Sequence, residues 1–152
     1  MAKQRQTYDD RARQFVQAVD IIKNVCSQSS RFSDEQKTMI SKGFTEFQRM
    51  ALNPEPPFRR IASLRYLEEE VLSGWYNATG PDADSVWSQI HEQVLPYQRK
   101  DVLAKVLKRR RIKDQHEFDY ITDSIVLAQQ DGRITKGQAL ELDSLLMKFQ
   151  GL

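Results

Sequence analysis

Hydrophobic residues recur along most of this chain at steps of three and four positions, which is the spacing of one face of an α-helix. The first set runs from Tyr8 to Cys26, and Thr7 stands before it as an N-cap. The second set follows Ser33 and Gln36, whose spacing is that of a capping box. Strict alternation of apolar and polar residues, the pattern of a half-buried strand, is almost absent. The pattern therefore predicts an all-α fold.

Prolines separate the second helix from the third. The segment 53–57 contains three prolines and cannot continue a helix, because proline lacks an amide hydrogen and clashes with the preceding turn. It predicts a stiff linker. The third helix follows over 61–75, with its apolar residues on one face. The acidic run 68–70 is predicted to form a solvated face with Arg65 as its neighbour.

The fourth and fifth helices are predicted from the same periodicity. Asp82 or Asp84 caps the fourth helix, which is expected to bury Val94 together with two earlier apolar residues, Val86 and Ile90. A proline two positions after Val94 ends or kinks it. The fifth helix is predicted over 97–111, with apolar residues on the face opposite its basic side chains.

Two more helices complete the predicted architecture. Asp114 and Glu117 have capping-box spacing at the start of the sixth helix, and Gly132 ends it. Thr135 and Gln138 repeat that spacing at the start of the seventh. Each apolar face must be buried against another helix, so the prediction is an antiparallel bundle of six to seven helices forming one domain, 1–152.

Length and composition are those of a globular chain. The 152 residues are 39% hydrophobic and 29% charged, which suits a single core without a metal or disulfide. No run of 18 apolar residues occurs, and residues 1–6 lead into an amphipathic segment instead of the short apolar core of a signal peptide. The single cysteine, Cys26, lies on an apolar face and predicts a buried thiol in a reducing compartment. These features predict a cytoplasmic protein without a membrane partner.

No catalytic motif is present, so neither an enzyme activity nor a cofactor is predicted. Two His-Glu pairs, His91-Glu92 and His116-Glu117, are weak candidates for zinc ligands or for acid and base catalysis. A helical metalloprotease motif needs a second histidine four residues after His91, and Leu95 stands there instead. Glycine loops that bind phosphate, nucleophile elbows and paired cysteines are all missing.

Charge is unevenly distributed along the chain. Between Arg99 and Lys113 there are eight basic residues and one acid, a local charge of +7, whereas the whole chain carries +2. Residues 114–152 hold three basic residues and seven acids, a charge of −4. Three uses of the basic helix are open: it neutralises the acidic hairpin, it binds phosphates, or it binds an acidic protein. The predicted interacting residues of this face are Lys105, Lys108, Arg109, Arg111 and Lys113.

Two aromatic residues form a second candidate interface. Trp75 and Tyr76 lie at the end of the third helix beside a polar loop, and exposed aromatic side chains are frequent anchors of protein interfaces. The alternative is that they cover the end of the core.

The functional prediction is a non-catalytic interaction or adaptor protein that acts through helix faces. Bacterial immunity proteins, antitoxin-like inhibitors and small regulators all fit this description. The predicted partner is another protein, which includes a second copy of the chain. Nucleic acid bound by the basic helix 99–113 is the alternative partner, and a metal-dependent enzyme is the weaker alternative.

Overall fold

The computed structural model describes residues 6–76 and 78–152. Within these residues the chain forms seven α-helices and no strand, which confirms the predicted all-α fold. Its contacts divide it into two compact units, unit 1 (Met1–Arg99) and unit 2 (Lys100–Leu152). The assignment of the whole chain to one domain stays a prediction. Residues 1–5, which the prediction of no signal peptide uses, lie outside the described part of the chain.

Unit 1 is built around its first helix. Helix α1 (Tyr8–Gln28) contacts each of the other three helices of the unit, and its buried residues include Phe15, Val19 and Ile22. A 3₁₀ turn, Pro56–Phe58, begins within the predicted linker 53–57 and extends one residue beyond it. The four helices are α1 (Tyr8–Gln28), α2 (Asp34–Leu52), α3 (Ile61–Tyr76) and α4 (Pro81–Glu92).

Helices α1 and α2 form an antiparallel hairpin whose caps agree with the sequence prediction. The Thr7 side chain caps α1, and Ser33 and Gln36 form both hydrogen bonds of a capping box at the start of α2. At the open end of the hairpin, the Tyr8 hydroxyl donates to the carbonyl oxygen of Ala51 at 2.8 Å. The start of α1 therefore lies beside the end of α2.

One acidic residue of α3 is buried, contrary to the predicted solvated face. The Glu68 side chain is only 5% exposed, and the Nε atom of Arg11 on α1 lies 2.9 Å from its Oε1 atom. Tyr97 is a neighbour of this carboxylate. Its own burial, together with the Glu68 carboxylate, raises the pKa of the Tyr97 hydroxyl. Glu68 lies four residues after Leu64 and four before Leu72, both buried, so it belongs to the apolar face of the helix and needs a partner there.

The two ends of α4 each correct a prediction. The helix begins with Gly80 as N-cap and Pro81 as its first residue, so neither Asp82 nor Asp84 is the cap. Val94 is 84% exposed and not buried, because the helix ends at Glu92 and the chain then reverses direction.

The reversal after α4 is a Schellman motif with a valine at its left-handed position. The Val94 amide donates to the His91 carbonyl at 3.0 Å, and the Leu95 amide donates to the Ile90 carbonyl at 3.1 Å. Val94 has a φ of +55°, and buried Leu95 takes the inward place that was predicted for Val94. A β-branched side chain is strained in this conformation, which glycine adopts freely.

We expect Val94→Gly to raise the free energy of unfolding by about 1 kcal/mol, because relief of left-handed strain outweighs the extra entropy of glycine in the unfolded chain. Val94→Ala is the matched control and should gain less, since alanine keeps the Cβ atom. Urea denaturation measures both variants. A lower midpoint for Val94→Gly than for the unmodified chain would contradict a strained valine at this turn.

Unit 2 contains three helices around its own core. They are α5 (Val102–Arg109), α6 (Gln115–Gln130) and α7 (Lys136–Phe149). Helix α5 is shorter than the predicted 97–111, because the Asp101 side chain accepts a hydrogen bond from the Ala104 amide and Arg110 ends the helix in a left-handed conformation. The buried core residues of this unit are Leu103, Val106, Ile112, Ile121, Ala128, Ile134, Ala139 and Leu142.

Helices α6 and α7 form a second antiparallel hairpin. The rings of Phe118, near the start of α6, and Phe149, at the end of α7, stack with their centroids 5.4 Å apart. Gly132 has a φ of +74° after the last turn of α6, as predicted, and Thr135 with Gln138 forms the predicted capping box of α7. The hairpin thus carries the acidic residues that follow the basic helix in the sequence.

Cys26 lies in the core of unit 1, which confirms its predicted burial. Burial raises the pKa of its thiol, and the nearby Asp82 carboxylate acts in the same direction.

In the described part of the chain, none of the helices combines the length and the apolar character that a membrane crossing requires.

Candidate functional site

The basic segment of unit 2 places most of its charge on the surface. Helix α5 buries Leu103 and Val106, and its basic side chains lie on the opposite side. The side chains of Lys105, Lys108, Arg110 and Arg111 form no ion pair or hydrogen bond with any described residue. We call the following exposed residues the cationic surface: Lys105, Lys108, Arg110, Arg111 and Lys113.

Arg109 differs from its neighbours because it is paired within unit 2. Its Nη1 atom donates to the Oε1 atom of Glu117 at 2.7 Å, and its Nη2 atom donates to Oε2 at 3.1 Å. Nη1 also donates to the carbonyl oxygen of Arg111 at 3.0 Å. These hydrogen bonds to Glu117 raise the pKa of the guanidinium. Arg109, a predicted interacting residue, is therefore the one that meets a carboxylate of the acidic hairpin.

Glu117 is the buried anchor of the segment that links α5 to α6. Its side chain is 8% exposed, and its Oε1 atom accepts a hydrogen bond from the Lys113 amide at 2.9 Å. Burial alone would raise the pKa of this carboxyl group, but the hydrogen bonds from Arg109 and Lys113 outweigh it and lower the pKa. Glu117 is therefore ionised at neutral pH. Asp114 caps α6 as predicted, but Glu117 does not complete a capping box, because its carboxylate turns to Arg109.

The turn between the two helices has a defined shape. Arg110 has a φ of +61° and a ψ of +31°, which reverses the chain after α5. Ile112 is buried in the core of unit 2, two residues further on. Because Arg109, Ile112 and Lys113 are each fixed by a contact, the side chains of Arg110 and Arg111 lie between fixed points and extend into solvent.

The segment 102–113, which carries the cationic surface, has no large exposed hydrophobic side chain. In unit 2 the large exposed hydrophobic residues all follow residue 125, and they are Val126, Leu127, Leu140, Met147, Phe149 and Leu152. The segment 102–113 also contains no aromatic residue, asparagine or glutamine. The segment itself therefore offers charge without apolar anchors or stacking groups.

The predicted aromatic interface is divided between surface and core. Tyr76 is buried and stacks on Trp87, with the ring centroids 5.9 Å apart. Trp75 is half-buried, and its carbonyl oxygen accepts a hydrogen bond from the indole Nε1 atom of Trp87 at 3.0 Å. Tyr76 thus covers the end of the unit 1 core, and Trp75 alone of the two reaches solvent.

The two histidines lie in different units and are both exposed. His91 is in the last turn of α4 in unit 1, and His116 is in the first turn of α6 in unit 2. No group of three histidine, cysteine, aspartate or glutamate side chains among the described residues is placed to hold a metal ion.

Unit 1 contains an apolar groove that the sequence pattern does not reveal. A cavity of about 490 Å³ lies among the start of α1, the end of α2, the proline linker and α3. Met50, Phe58 and Tyr66 line it and are exposed, and Tyr8 and Pro54 complete its apolar wall. These residues belong to four different elements, so no helical spacing connects them. The groove has the size and lining of a ligand or peptide site.

Sequence reasoning missed two residues of the candidate site, Arg110 and Glu117. Arg110 belongs to the basic run but is not among the residues predicted for the face, since its outward direction depends on the left-handed end of α5. For Glu117 the sequence predicts a capping-box position and a weak catalytic or zinc-binding pair with His116, but not its contact with Arg109. Comparison with protein-family models, with curated proteins and with solved structures found no match.

Proposed function

We propose that this chain is a non-catalytic binding protein whose unit 2 binds the phosphate backbone of nucleic acid. The observation that carries the proposal is the cationic surface, in which four side chains within seven residues lack a carboxylate partner: Lys105, Lys108, Arg110 and Arg111. Exposed and unpaired cations attract a polyanion because binding releases the counterions condensed on it. Arg109 supports the turn and is not proposed to contact phosphate.

Nucleic acid suits this surface better than an acidic protein does. Protein interfaces have a desolvated centre with aromatic or apolar anchors, surrounded by polar residues. The segment that bears the cationic surface has no exposed large hydrophobic residue. A phosphate backbone needs no such anchor, since charge alone provides most of its non-specific affinity.

The composition of the surface also favours duplex over single-stranded nucleic acid. Single-stranded binders stack bases on aromatic side chains, and the segment 102–113 has none. Adenine readout uses asparagine or glutamine, which the segment also lacks. The proposed contacts are those that position a protein on the backbone and carry no sequence information.

The test replaces Lys105, Lys108 and Arg111 together by glutamine and measures duplex binding by fluorescence anisotropy. Each lost phosphate contact removes about 0.9 from the slope of log affinity against log salt, so the slope should become shallower by about 2 to 3. Affinity at about 50 mM salt should fall by roughly ten- to a hundred-fold.

The control variant replaces Lys42, Lys136 and Lys148 by glutamine, which removes the same charge from other exposed positions. It should keep most of the affinity and of the salt slope. Equal losses in both variants would assign binding to overall charge and contradict the proposed surface. Absence of wild-type binding at about 50 mM salt, where non-specific association is strong, would reject nucleic acid. Binding of polyglutamate in its place would assign the surface to an acidic protein.

The groove of unit 1 favours a second candidate function, interaction with another protein. Its exposed Met50, Phe58 and Tyr66 are of the residue types enriched at interface centres, and the partner would be an apolar peptide segment or a second copy of the chain. Under this second proposal, the chain is a bacterial regulator or inhibitor that acts by binding another protein. A protein complex that resists about 1 M salt would support the groove, since salt screens the charges of the cationic surface. A cytoplasmic location is part of both proposals.

A further inference from the structure

We infer that Glu117 is a positioning residue that holds the cationic surface ready for binding, although it carries the opposite charge. The inference rests on the proposed binding of nucleic acid by unit 2 and adds a residue that the proposal does not use. Glu117 is proposed to act through Arg109 and the Lys113 amide and to make no contact with phosphate.

Three hydrogen bonds from the segment converge on the Glu117 carboxylate. Two come from the guanidinium of Arg109, at 2.7 and 3.1 Å, and one comes from the amide of Lys113, at 2.9 Å. Arg109 also donates to the Arg111 carbonyl at 3.0 Å. The carboxylate thus joins the last helical residue of α5 to the residue before the cap of α6, and so closes the turn that bears Arg110 and Arg111.

Because Glu117 is buried, its carboxylate depends on these hydrogen bonds. A buried carboxylate has to be compensated by donors, and the described structure supplies two donor residues, both from the basic segment. The two parallel hydrogen bonds between a guanidinium group and a carboxylate also fix the orientation of the two side chains, in addition to the distance between them. The turn is therefore already ordered before a partner arrives, and the cost of ordering its side chains on binding is reduced.

Simple electrostatics predicts the opposite effect of removing this charge. Glu117→Gln raises the net charge of the chain by one unit and removes a carboxylate close to the cationic surface. If the carboxylate acted only through its charge, the variant would bind a polyanion more tightly. If it positions the turn, the variant binds more weakly despite the added positive charge. The sign of the change separates the two roles.

The experiment compares three variants of the full chain in the same duplex-binding measurement at about 50 mM salt. Glu117→Gln should weaken binding about five-fold, because the turn must then be ordered on binding. Arg109→Lys leaves the net charge unchanged and loses the guanidinium fork, so it should weaken binding about three-fold. Asp123→Asn is the matched control, an exposed acid on the same helix, and should tighten binding by less than about two-fold.

Amide hydrogen exchange supplies a readout that does not depend on binding. In Glu117→Gln the Lys113 amide should exchange at least about ten-fold faster, while Ile121 amide protection in α6 should persist and show that the unit is folded. If Glu117→Gln and Asp123→Asn tighten binding equally, or if exchange at Lys113 is unchanged, the positioning role is overturned. Absence of binding by the wild-type chain would reject the proposed function instead, and the exchange data would then decide whether Glu117 orders the turn.

Discussion

Replacing Arg11 by alanine is expected to lower the free energy of unfolding by about 3 to 5 kcal/mol, because it leaves the buried Glu68 carboxylate without its cation. The Arg11 Nε atom lies 2.9 Å from Glu68 Oε1 and 3.3 Å from Oε2. An ionised group in such a position loses its hydration, and the hydrogen bonds and opposite charge of its partner offset the free-energy cost of that loss. Chemical denaturation followed by circular dichroism measures the change.

Two further variants make the source of this loss visible. Arg13→Ala removes an exposed arginine of the same helix that pairs with Asp10, and it should leave stability nearly unchanged, as exposed ion pairs usually do. Arg11→Met combined with Glu68→Gln should be more stable than Arg11→Ala, because no charge is then buried alone. If Arg11→Ala is no more damaging than Arg13→Ala, the pair contributes nothing, and the argument from burial fails.

The helices, and the starts of α1, α2, α6 and α7, could be predicted because a helix cap depends on residues close in the sequence. Thr7, Ser33 and Thr135 all cap helices as their spacing indicates. A capping side chain forms its hydrogen bond with a backbone amide within three residues of itself. Both partners therefore lie in the same short stretch of sequence. The same holds for Gly132, whose left-handed conformation needs only the helix before it.

Two errors arise where the helical spacing of a residue does not by itself decide its surroundings. Glu68 looks solvated within its acidic run, but it occupies an inward position and is neutralised by Arg11, 57 residues earlier. Val94 has the spacing of a buried residue, yet the helix ends before it and Leu95 is buried instead. Periodicity predicts which face is inward only while the helix continues.

The candidate site is partly predictable for the same reason. The excess of positive charge in residues 99–113 is visible in the sequence, but the sequence does not tell which arginine is paired. Arg109 reaches Glu117 on the next helix, whereas Arg110 turns outward at the end of α5. That difference depends on where the helix ends and on a contact between two helices. The groove of unit 1 was missed because its lining comes from separate elements.

Leu142→Ala is expected to remove about 3 kcal/mol from the stability of unit 2, as a cavity in a well-packed core does. Leu142 is 0% exposed and lies in the core formed by α5, α6 and α7. A small unit has little stability to lose, so this loss should be large for unit 2. Leu140→Ala is the matched control on the same helix, since Leu140 is 61% exposed, and it should have almost no effect.

Hydrogen exchange followed residue by residue shows where the loss from Leu142→Ala falls. Each unit has its own buried core. In Leu142→Ala we therefore expect the amides of α5, α6 and α7 to exchange about a hundred-fold faster than in the unmodified chain. A hundred-fold change corresponds to about 3 kcal/mol. Amides of α1 should keep their protection. Equal acceleration in α1 would contradict separate stabilities and would support one cooperative domain over 1–152. No acceleration in unit 2 would mean that Leu142 does not hold its core.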